Sequence, residues 1–231
     1  MSGSQRAIER WLRSLRIPGK PDELESKQLL SSYGIAVPQG RRLGKEDSLD
    51  PLPVTETGLW ILKTCSAEIL HKTEAGGVLT NLERGDLPLV LESLRSRFPD
   101  TDLLVEEQVR YSGPELILGA LRDPALGPAV MVGAGGVLTE LYRDVSFRLA
   151  PCPPEECRRM LGELTISPVL EGYRGIALDT DALAETVNRL GRLAVELGPR
   201  FQQLDVNPVV YAGNRWIALD AKIVLGEEGE I

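Results

Sequence analysis

The segment from Trp60 to Val78 reads W-I-L-K-T-C-S-A-E-I-L-H-K-T-E-A-G-G-V, and the other features of the chain are interpreted around it. It begins within an apolar run, Leu59 to Leu62, which predicts a buried strand. Lys63 ends that run where the strand is expected to leave the core, and His71, the only histidine of the chain, follows. Gly76-Gly77 comes next, and glycines let a backbone approach a ligand closely and offer N–H groups to phosphate oxygens. A cation, an imidazole and a bare backbone this close together favour a site that handles phosphate.

Each of these features also has a plainer structural explanation. A lysine after a strand is most often a solvated strand end, and a lone histidine is more often structural than catalytic. A pair of glycines is more often a turn than a phosphate cradle. The spacing alone therefore leaves both interpretations open.

Composition limits the class of protein. The chain has 231 residues, 42% hydrophobic and 26% charged, which is ordinary for a globular protein, and its formal net charge is -8. The acidic balance and the lack of a Lys/Arg cluster argue against a nucleic-acid surface. No apolar run approaches the roughly 20 residues of a membrane span, and the N-terminus has no signal-like apolar core. Three cysteines without metal-ligand spacing suit free thiols, so we expect a cytoplasmic protein.

The order of predicted elements is mixed, because helices interrupt runs of antiparallel-looking strands. It indicates an α+β fold in two lobes. We predict a helical extension over residues 1–21, a first lobe over 22–102 and a second lobe over 103–231. Helices are predicted at 4–16, 22–33, 88–97, 153–164 and 180–197. Strands are predicted at 59–62, 78–82, 103–109, 115–122, 129–132, 137–142, 147–150, 201–211 and 216–221.

Oxygen donors concentrate near the C-terminus, on what the sequence predicts to be the last hairpin. Alternation places Asp205 and Asn207 on one face of their strand, and Pro208, which lacks an N–H, is expected to end the regular pairing. Gly213-Asn214 is predicted to form the turn of this hairpin, and Asp220 lies on the returning strand. Carboxylate and amide oxygens are the donors that Mg²⁺ prefers, completed by phosphate and water. The alternative is an ordinary hairpin with its polar side chains in solvent.

Taken together, the motifs resemble a known family. The chain is similar to the β subunit of ADP-forming acetyl-CoA synthetase, an ATP-grasp protein of the NDP-forming acyl-CoA synthetase superfamily. The similarity covers about residues 22–225, and the ordered set of motifs makes it specific. Small departures, Cys65, Ala67 and Glu68, concern loop shape. The matching motifs are Glu23 to Lys27, Leu29-Leu30, Tyr33 to Pro38, Leu62-Lys63, Ser66 to Lys72, Gly76 to Val78, Gly113 to Glu115, Asp123-Pro124, Leu126 to Pro128, Gly135-Gly136, Asp144 to Arg148, Asp205 to Pro208, and Leu219 to Lys222.

The resemblance implies an ATP-grasp fold, two lobes gripping a nucleotide, and an acid–CoA ligase (ADP-forming) that acts with an α subunit. It implies ATP or ADP and Mg²⁺ as cofactors, a phosphohistidine relay, and an α2β2 assembly whose α subunit holds the CoA and acyl sites. The implied catalytic residues are His71 and Asp205, and the implied metal ligands are Asp205, Asn207 and Asp220. The implied nucleotide contacts are Lys63, Gly76, Gly77, Glu106, Glu107, Gln108 and Val109, the last four as an adenine hinge, with Glu115 and Arg148.

Two other functions stay open at this point. The chain could be a different ATP-grasp carboxylate ligase that makes a free acyl phosphate without phosphorylating a histidine. It could also be a non-catalytic, nucleotide-binding regulatory subunit, although the intact set of charged candidates argues against that.

Overall fold

The computed structural model describes residues 3–67, 75–136, 144–175 and 178–226. His71 and the strand predicted at 137–142 lie outside these ranges. The described helices are α1 (Gly3–Ser14), α2 (Glu23–Ser32), α3 (Leu87–Arg97), α4 (Pro154–Glu163), α5 (Ser167–Leu170) and α6 (Thr180–Glu196). The strands are β1 (Gly40–Leu43), β2 (Trp60–Cys65), β3 (Val78–Leu82), β4 (Asp102–Glu107), β5 (Leu116–Asp123), β6 (Gly127–Ala134), β7 (Val145–Leu149), β8 (Phe201–Ala212), β9 (Arg215–Ala218) and β10 (Lys222–Leu225).

The chain forms two compact units. The small unit comprises residues 22–24 and 38–110, and the large unit comprises residues 1–21, 25–37 and 111–231. This division differs from the lobes predicted from sequence. Residues 103–110 group with the small unit because β4 is hydrogen-bonded between β1 and β2. The predicted N-terminal extension, residues 1–21, groups with the large unit and is not separate from it.

The small unit is a four-stranded antiparallel sheet in the order β1-β4-β2-β3. Alternation along β2 turns Trp60 and Leu62 toward one face, where they join the leucines of α3 in an apolar core. Leu87 and Leu94 of α3 are completely buried there. Pro88 lies in the first turn of α3, where its missing N–H removes no helical hydrogen bond. The opposite face of this sheet carries charged side chains.

The large unit is an antiparallel sheet in the order β10-β8-β5-β6-β7, with β9 paired to the far half of β8. Helices α4 and α6 pack on one face and exclude water from its apolar side chains. The Asp179 carboxylate caps α6 by accepting a 2.8 Å bond from the Ala182 N–H. Helix α1 packs into this core through Ile8 and Trp11.

Most of the predicted elements are confirmed, and three details are corrected. The strand of Lys63 does not end there: β2 continues to Cys65, which is buried in the strand and not placed in a loop. Strand β8 also continues through Pro208, although it changes partner there, from β10 to β9. Asp220 consequently lies in the connection between β9 and β10 and not on a strand of the hairpin.

The predicted turn at Gly213-Asn214 is confirmed. Both residues have positive φ, 55° and 59°, the backbone that a two-residue hairpin with the native twist requires. Among the described residues, no helix combines the length and the apolar character that crossing a bilayer would need.

Candidate functional site

The charged face of the small sheet is built by β2 and β4. In their register Lys63 lies opposite Leu104 and Ile61 opposite Glu106. Residues two apart on a strand share a face, so Lys63 and Glu106 are diagonal neighbours on the side away from α3. Their side chains meet directly, with 2.9 Å between Lys63 Nζ and Glu106 Oε2.

Lys63 is held by a second carboxylate as well. Its Nζ donates to Glu23 Oε1 at 2.7 Å, and only 8% of the lysine side chain is exposed. The carboxylates are also buried, with 0% of the Glu23 and 1% of the Glu106 side chain exposed. A solvated strand end is therefore the wrong interpretation of Lys63: it is an interior cation, stable there because charged hydrogen bonds replace its water.

Arg42 on β1 is likewise held by two carboxylates. Its guanidinium lies 2.6 Å from Asp22 and 3.6 Å from Asp102. Arg42 Nη1 also reaches Cys65 Sγ at 3.6 Å. Burial, followed by the charge of Asp22, raises the pKa of the Cys65 thiol to about 12, so this cysteine is an unreactive thiol near neutral pH.

The Gly76-Gly77 turn lies beside a cation. Gly76 has φ 65°, a backbone conformation that favours glycine, and a Cβ there would lie 2.5 Å from the end of the Arg97 side chain, which would have to move. Arg97 Nη2 donates to the Ala75 carbonyl at 2.9 Å. Gly77 accepts the Thr64 N–H at 2.8 Å, which ties the turn to β2 next to Lys63. The turn therefore lies next to the positively charged Arg97, and in sequence it follows closely after His71.

The predicted adenine hinge, Glu106 to Val109, comprises the last two residues of β4 and the two residues that follow it. The Glu107 N–H donates to the Gln39 carbonyl at 2.9 Å, and the Gln39 N–H donates back to the Glu107 carboxylate at 2.9 Å. Thr57 Oγ1 donates to the Gln108 carbonyl at 3.0 Å. These backbone groups are therefore engaged inside the small unit, and a bound base could use them only by sharing or displacing the present partners.

Glu115 immediately precedes β5 in the large unit and accepts a 2.5 Å bond from the Tyr111 hydroxyl. Burial and this bond raise the pKa of Tyr111 to about 12. Gly135 N–H donates to the Glu115 carbonyl at 2.7 Å, and a Cβ on Gly135 would lie 2.8 Å from that carbonyl. Glycine is therefore required where β6 ends beside Glu115.

Arg148 on β7 is paired with two carboxylates of α4. Its guanidinium bonds Glu163 in a bidentate manner, and its Nε lies 3.5 Å from Glu156. The hydrogen bond from Arg148 lowers the pKa of Glu163, and the Ser146 hydroxyl adds to this. This geometry favours a structural role, fastening α4 to the edge strand, over a free phosphate contact.

The carboxylates of the C-terminal segment come together in the large unit. Asp205 on β8 lies opposite Gly119 of β5 and Lys222 of β10. Burial, and then the charge of Asp220, raises the pKa of Asp205, whereas Lys222 lowers it. Asn207 shares the Asp205 face and is exposed.

This donor set fits a magnesium ion. Burial and a neighbouring carboxylate disfavour the charge on Asp205, and a bound cation would relieve both effects. Two carboxylates and an amide do not complete an octahedral shell, which suits an ion that also binds phosphate oxygens and water. Within the described ranges, no group of three or more His, Cys, Asp or Glu side chains forms a protein-only metal centre.

The structure thus brings together two of the predicted groups: Lys63 with Glu106 in the small unit, and Asp205 with Asp220 in the large one. Sequence reasoning assigned no role to Glu23, which served only as a motif match. The only signal for it was an acid at the start of a helix, because nothing in the sequence pairs it with a lysine forty positions away. Arg97 was missed for the same reason.

Comparison with known proteins identifies the class. The ATP-grasp domain family matches residues 19–225. The β subunit of ADP-forming acetate–CoA ligase I of Pyrococcus furiosus is 35% identical over 88% of this chain and 90% of its own length. ADP-forming acetate–CoA ligase I of Archaeoglobus fulgidus is 34% identical over 97% of this chain, which spans 33% of that longer protein.

A solved structure agrees with the sequence relatives. Dinucleotide-forming acetyl-CoA synthetase 1 of Ca. Korarchaeum cryptofilum, in complex with coenzyme A and Mg-AMPPCP, is 33% identical, with a TM-score of 0.77 over 96% of this chain and 100% of that one. Its phosphohistidine segment points toward the nucleotide-binding site. The chain therefore belongs to the ATP-grasp family, in the group that contains the β subunits of ADP-forming acetate–CoA ligases.

Proposed function

We propose that this chain is the nucleotide-binding β subunit of an ADP-forming acid–CoA ligase, which interconverts acyl-CoA, ADP and phosphate with acid, CoA and ATP. The observation that carries the proposal is the 35% identity to a separate β subunit along 90% of its length. The match to the ATP-grasp domain family over residues 19–225 supports it. The solved relative with a phosphohistidine segment supports a relay through a histidine.

His71 is the proposed carrier, as the only histidine of the chain. In the direction of ATP use, the lone pair of a neutral imidazole nitrogen attacks the γ-phosphorus and forms an N–P bond. The bond between the γ-phosphorus and the bridging oxygen breaks, and ADP leaves with its electron pair on that oxygen. A phosphoryl group on nitrogen is transferred readily, so the same bond can later pass the group to a second site. His71 lies outside the described residues, and its role rests on the family match.

The small unit supplies the proposed phosphate contacts. Lys63 offers a cation, Gly76 and Gly77 offer backbone N–H groups, and Arg97 lies against the same turn. Residues Glu106 to Val109 are proposed to meet the base, with the present backbone bonds of Glu107 and Gln108 exchanged or shared. In the large unit Glu115 is proposed to reach ribose or phosphate, and Arg148, already paired with Glu163, is the weakest member of the set.

Asp205, Asn207 and Asp220 are proposed to hold Mg²⁺. When bound, the ion would offset negative charge on the nucleotide phosphates during transfer. Asp205 is also proposed to orient the histidine, as a carboxylate can for an imidazole N–H. Its raised pKa reflects a charge that these surroundings leave undercompensated.

An α subunit is the proposed partner, with the CoA and acyl sites on it, in an α2β2 assembly. Relatives occur both as a separate β subunit and as a chain of which this protein matches a third. The remaining two thirds of such chains are where we expect the counterpart of the α subunit. Three buried free thiols are in keeping with a cytoplasmic location.

The test is phosphorylation of His71. Incubation with γ-labelled ATP and Mg²⁺ should give an acid-labile, base-stable label, which His71→Asn should remove while nucleotide affinity stays the same. With the α partner, His71→Asn should abolish turnover. Near-wild-type turnover of that variant would contradict the relay and favour a ligase that makes a free acyl phosphate.

A further inference from the structure

Two consecutive acidic residues, Asp22 and Glu23, form ion pairs with cations on the charged face of the small sheet. The Asp22 carboxylate lies 2.6 Å from the Arg42 guanidinium, and the Glu23 carboxylate lies 2.7 Å from Lys63 Nζ. Strand β4 supplies a second carboxylate to each of these cations. Neither Asp22 nor Glu23 belongs to the nucleotide site proposed above. Lys63 does belong to it, so the effect of Glu23 on Lys63 bears on how that site binds phosphate.

Lys63 cannot act on phosphate as an isolated cation. Its Nζ is already shared by two carboxylates at hydrogen-bonding distance, and all three side chains are at least nine-tenths buried. A phosphate oxygen that reaches the ammonium must share it with Glu23 and Glu106. That oxygen would then lie roughly 5 Å from the Glu23 carboxylate, since two acceptors of one ammonium are separated by less than twice a hydrogen-bond length.

Repulsion at that separation is large enough to alter affinity. Two like charges at that distance repel each other even in bulk water, and they repel more strongly where water is scarce, as around this buried ammonium group. The penalty falls mainly on phosphates without a bound cation, because a divalent ion on the phosphate reduces its net charge. Glu23 thus acts against free nucleotide more strongly than against metal-bound nucleotide.

We propose that Glu23 is a specificity-determining residue: by holding Lys63, it weakens binding of free nucleoside diphosphate and makes the phosphate end prefer the metal complex. The inference rests on the proposed function, because it requires that Lys63 contact phosphate. It assigns to the start of α2 a role in ligand selection and not only in docking that helix segment on the sheet.

The experiment compares Glu23→Gln with the wild-type chain by calorimetry against adenosine, ADP in chelator, and ADP with Mg²⁺. The variant should bind free ADP roughly five- to tenfold more tightly, Mg-ADP only about twofold more tightly, and adenosine equally well. Glu23→Ala also removes the charge and should give the same shift. Glu23→Asp keeps the charge and should retain the wild-type preference.

Asp22→Asn is the matched control, because it removes the neighbouring acid that pairs with Arg42 and not with Lys63. It should leave the ratio of free to metal-bound affinity unchanged. If Glu23→Gln and Glu23→Ala bind adenosine normally but leave that ratio at the wild-type value, or weaken free ADP, the inference is wrong and the proposed function survives. If the wild-type chain binds no form of ADP, the proposed function fails, and the inference with it.

Discussion

At the scale of single residues, Asp205 shows how a site can oppose the stability of its own fold. The carboxylate is partly buried, lies near Asp220, and has a raised pKa. A raised carboxyl pKa means that the folded chain holds the proton more tightly than the unfolded chain. The stabilising contribution of the protonated form is present at low pH and is lost as the pH rises through the folded-state pKa.

Asp205→Asn should therefore raise the Tm of the metal-free chain near pH 7 by a few degrees, because it removes a charge that burial disfavours. It should also make the decline of stability with rising pH less steep. Thermal unfolding experiments between pH 4 and 8 measure this change. The same change should weaken the Mg²⁺ dependence of nucleotide binding, since one oxygen donor loses its charge.

The control is the same substitution at Asp123, at the end of β5. Its carboxylate accepts the N–H groups of Ala125 and Leu126, both at 2.8 Å, so Asp123→Asn should lower Tm and leave the Mg²⁺ dependence alone. A lowered Tm for Asp205→Asn as well would contradict the electrostatic account of that site.

At the scale of elements, the large unit depends on how closely α6 approaches its sheet. Gly191 in the middle of α6 makes this possible: a Cβ there would lie 3.0 Å from Val130 Cγ1 and 3.5 Å from Ala150 Cβ. The absence of a side chain lets the longest described helix lie directly on β6. This close approach is opposed by the low helix propensity of glycine, which destabilises the helix by about 1 kcal/mol relative to alanine.

Gly191→Leu should destabilise the chain by about 1–3 kcal/mol, because a large side chain would be forced between α6 and β6. Gly162→Leu in α4 is the matched substitution, since a Cβ at Gly162 meets nothing within 4 Å. It should be neutral or stabilising by up to about 1 kcal/mol. Urea denaturation of both variants measures the difference, and equal losses would show that helix–sheet contact at Gly191 is not limiting.

At the scale of the whole molecule, the chain carries candidate nucleotide groups in both compact units. The proposed function places the CoA and acyl chemistry on an α partner. This separation has a direct consequence for the isolated chain.

The isolated chain should bind Mg-ADP or Mg-ATP but should not form acyl-CoA from acid, CoA and ATP. Calorimetry measures the first expectation, and a coupled acyl-CoA assay with and without the α partner measures the second. Robust acyl-CoA synthesis by this chain alone would refute the two-subunit assignment, whereas binding without synthesis agrees with it.

The sequence was sufficient for what depends on local pattern. Strand β3 coincides with its predicted range, α3 differs by one residue at its start, and the hairpin turn at Gly213-Asn214 is where the pattern places it. Periodicity and turn chemistry act over a few residues, which is why they can be read without a fold. The ordered motifs identified the family for the same reason, since each is a short local string.

Only the tertiary structure decided which side chains meet. The burial of Lys63 between Glu23 and Glu106, and the pairing of Arg148 with Glu163, join residues that are separated along the chain but adjacent in space. The extension of β2 past Lys63 was equally hidden, because a lysine inside a strand is stable only when distant carboxylates replace its water. Local sequence pattern determined the helices, the strands and the family. Contacts between side chains on different strands and helices determined which charged groups a ligand can reach and which are already paired within the fold.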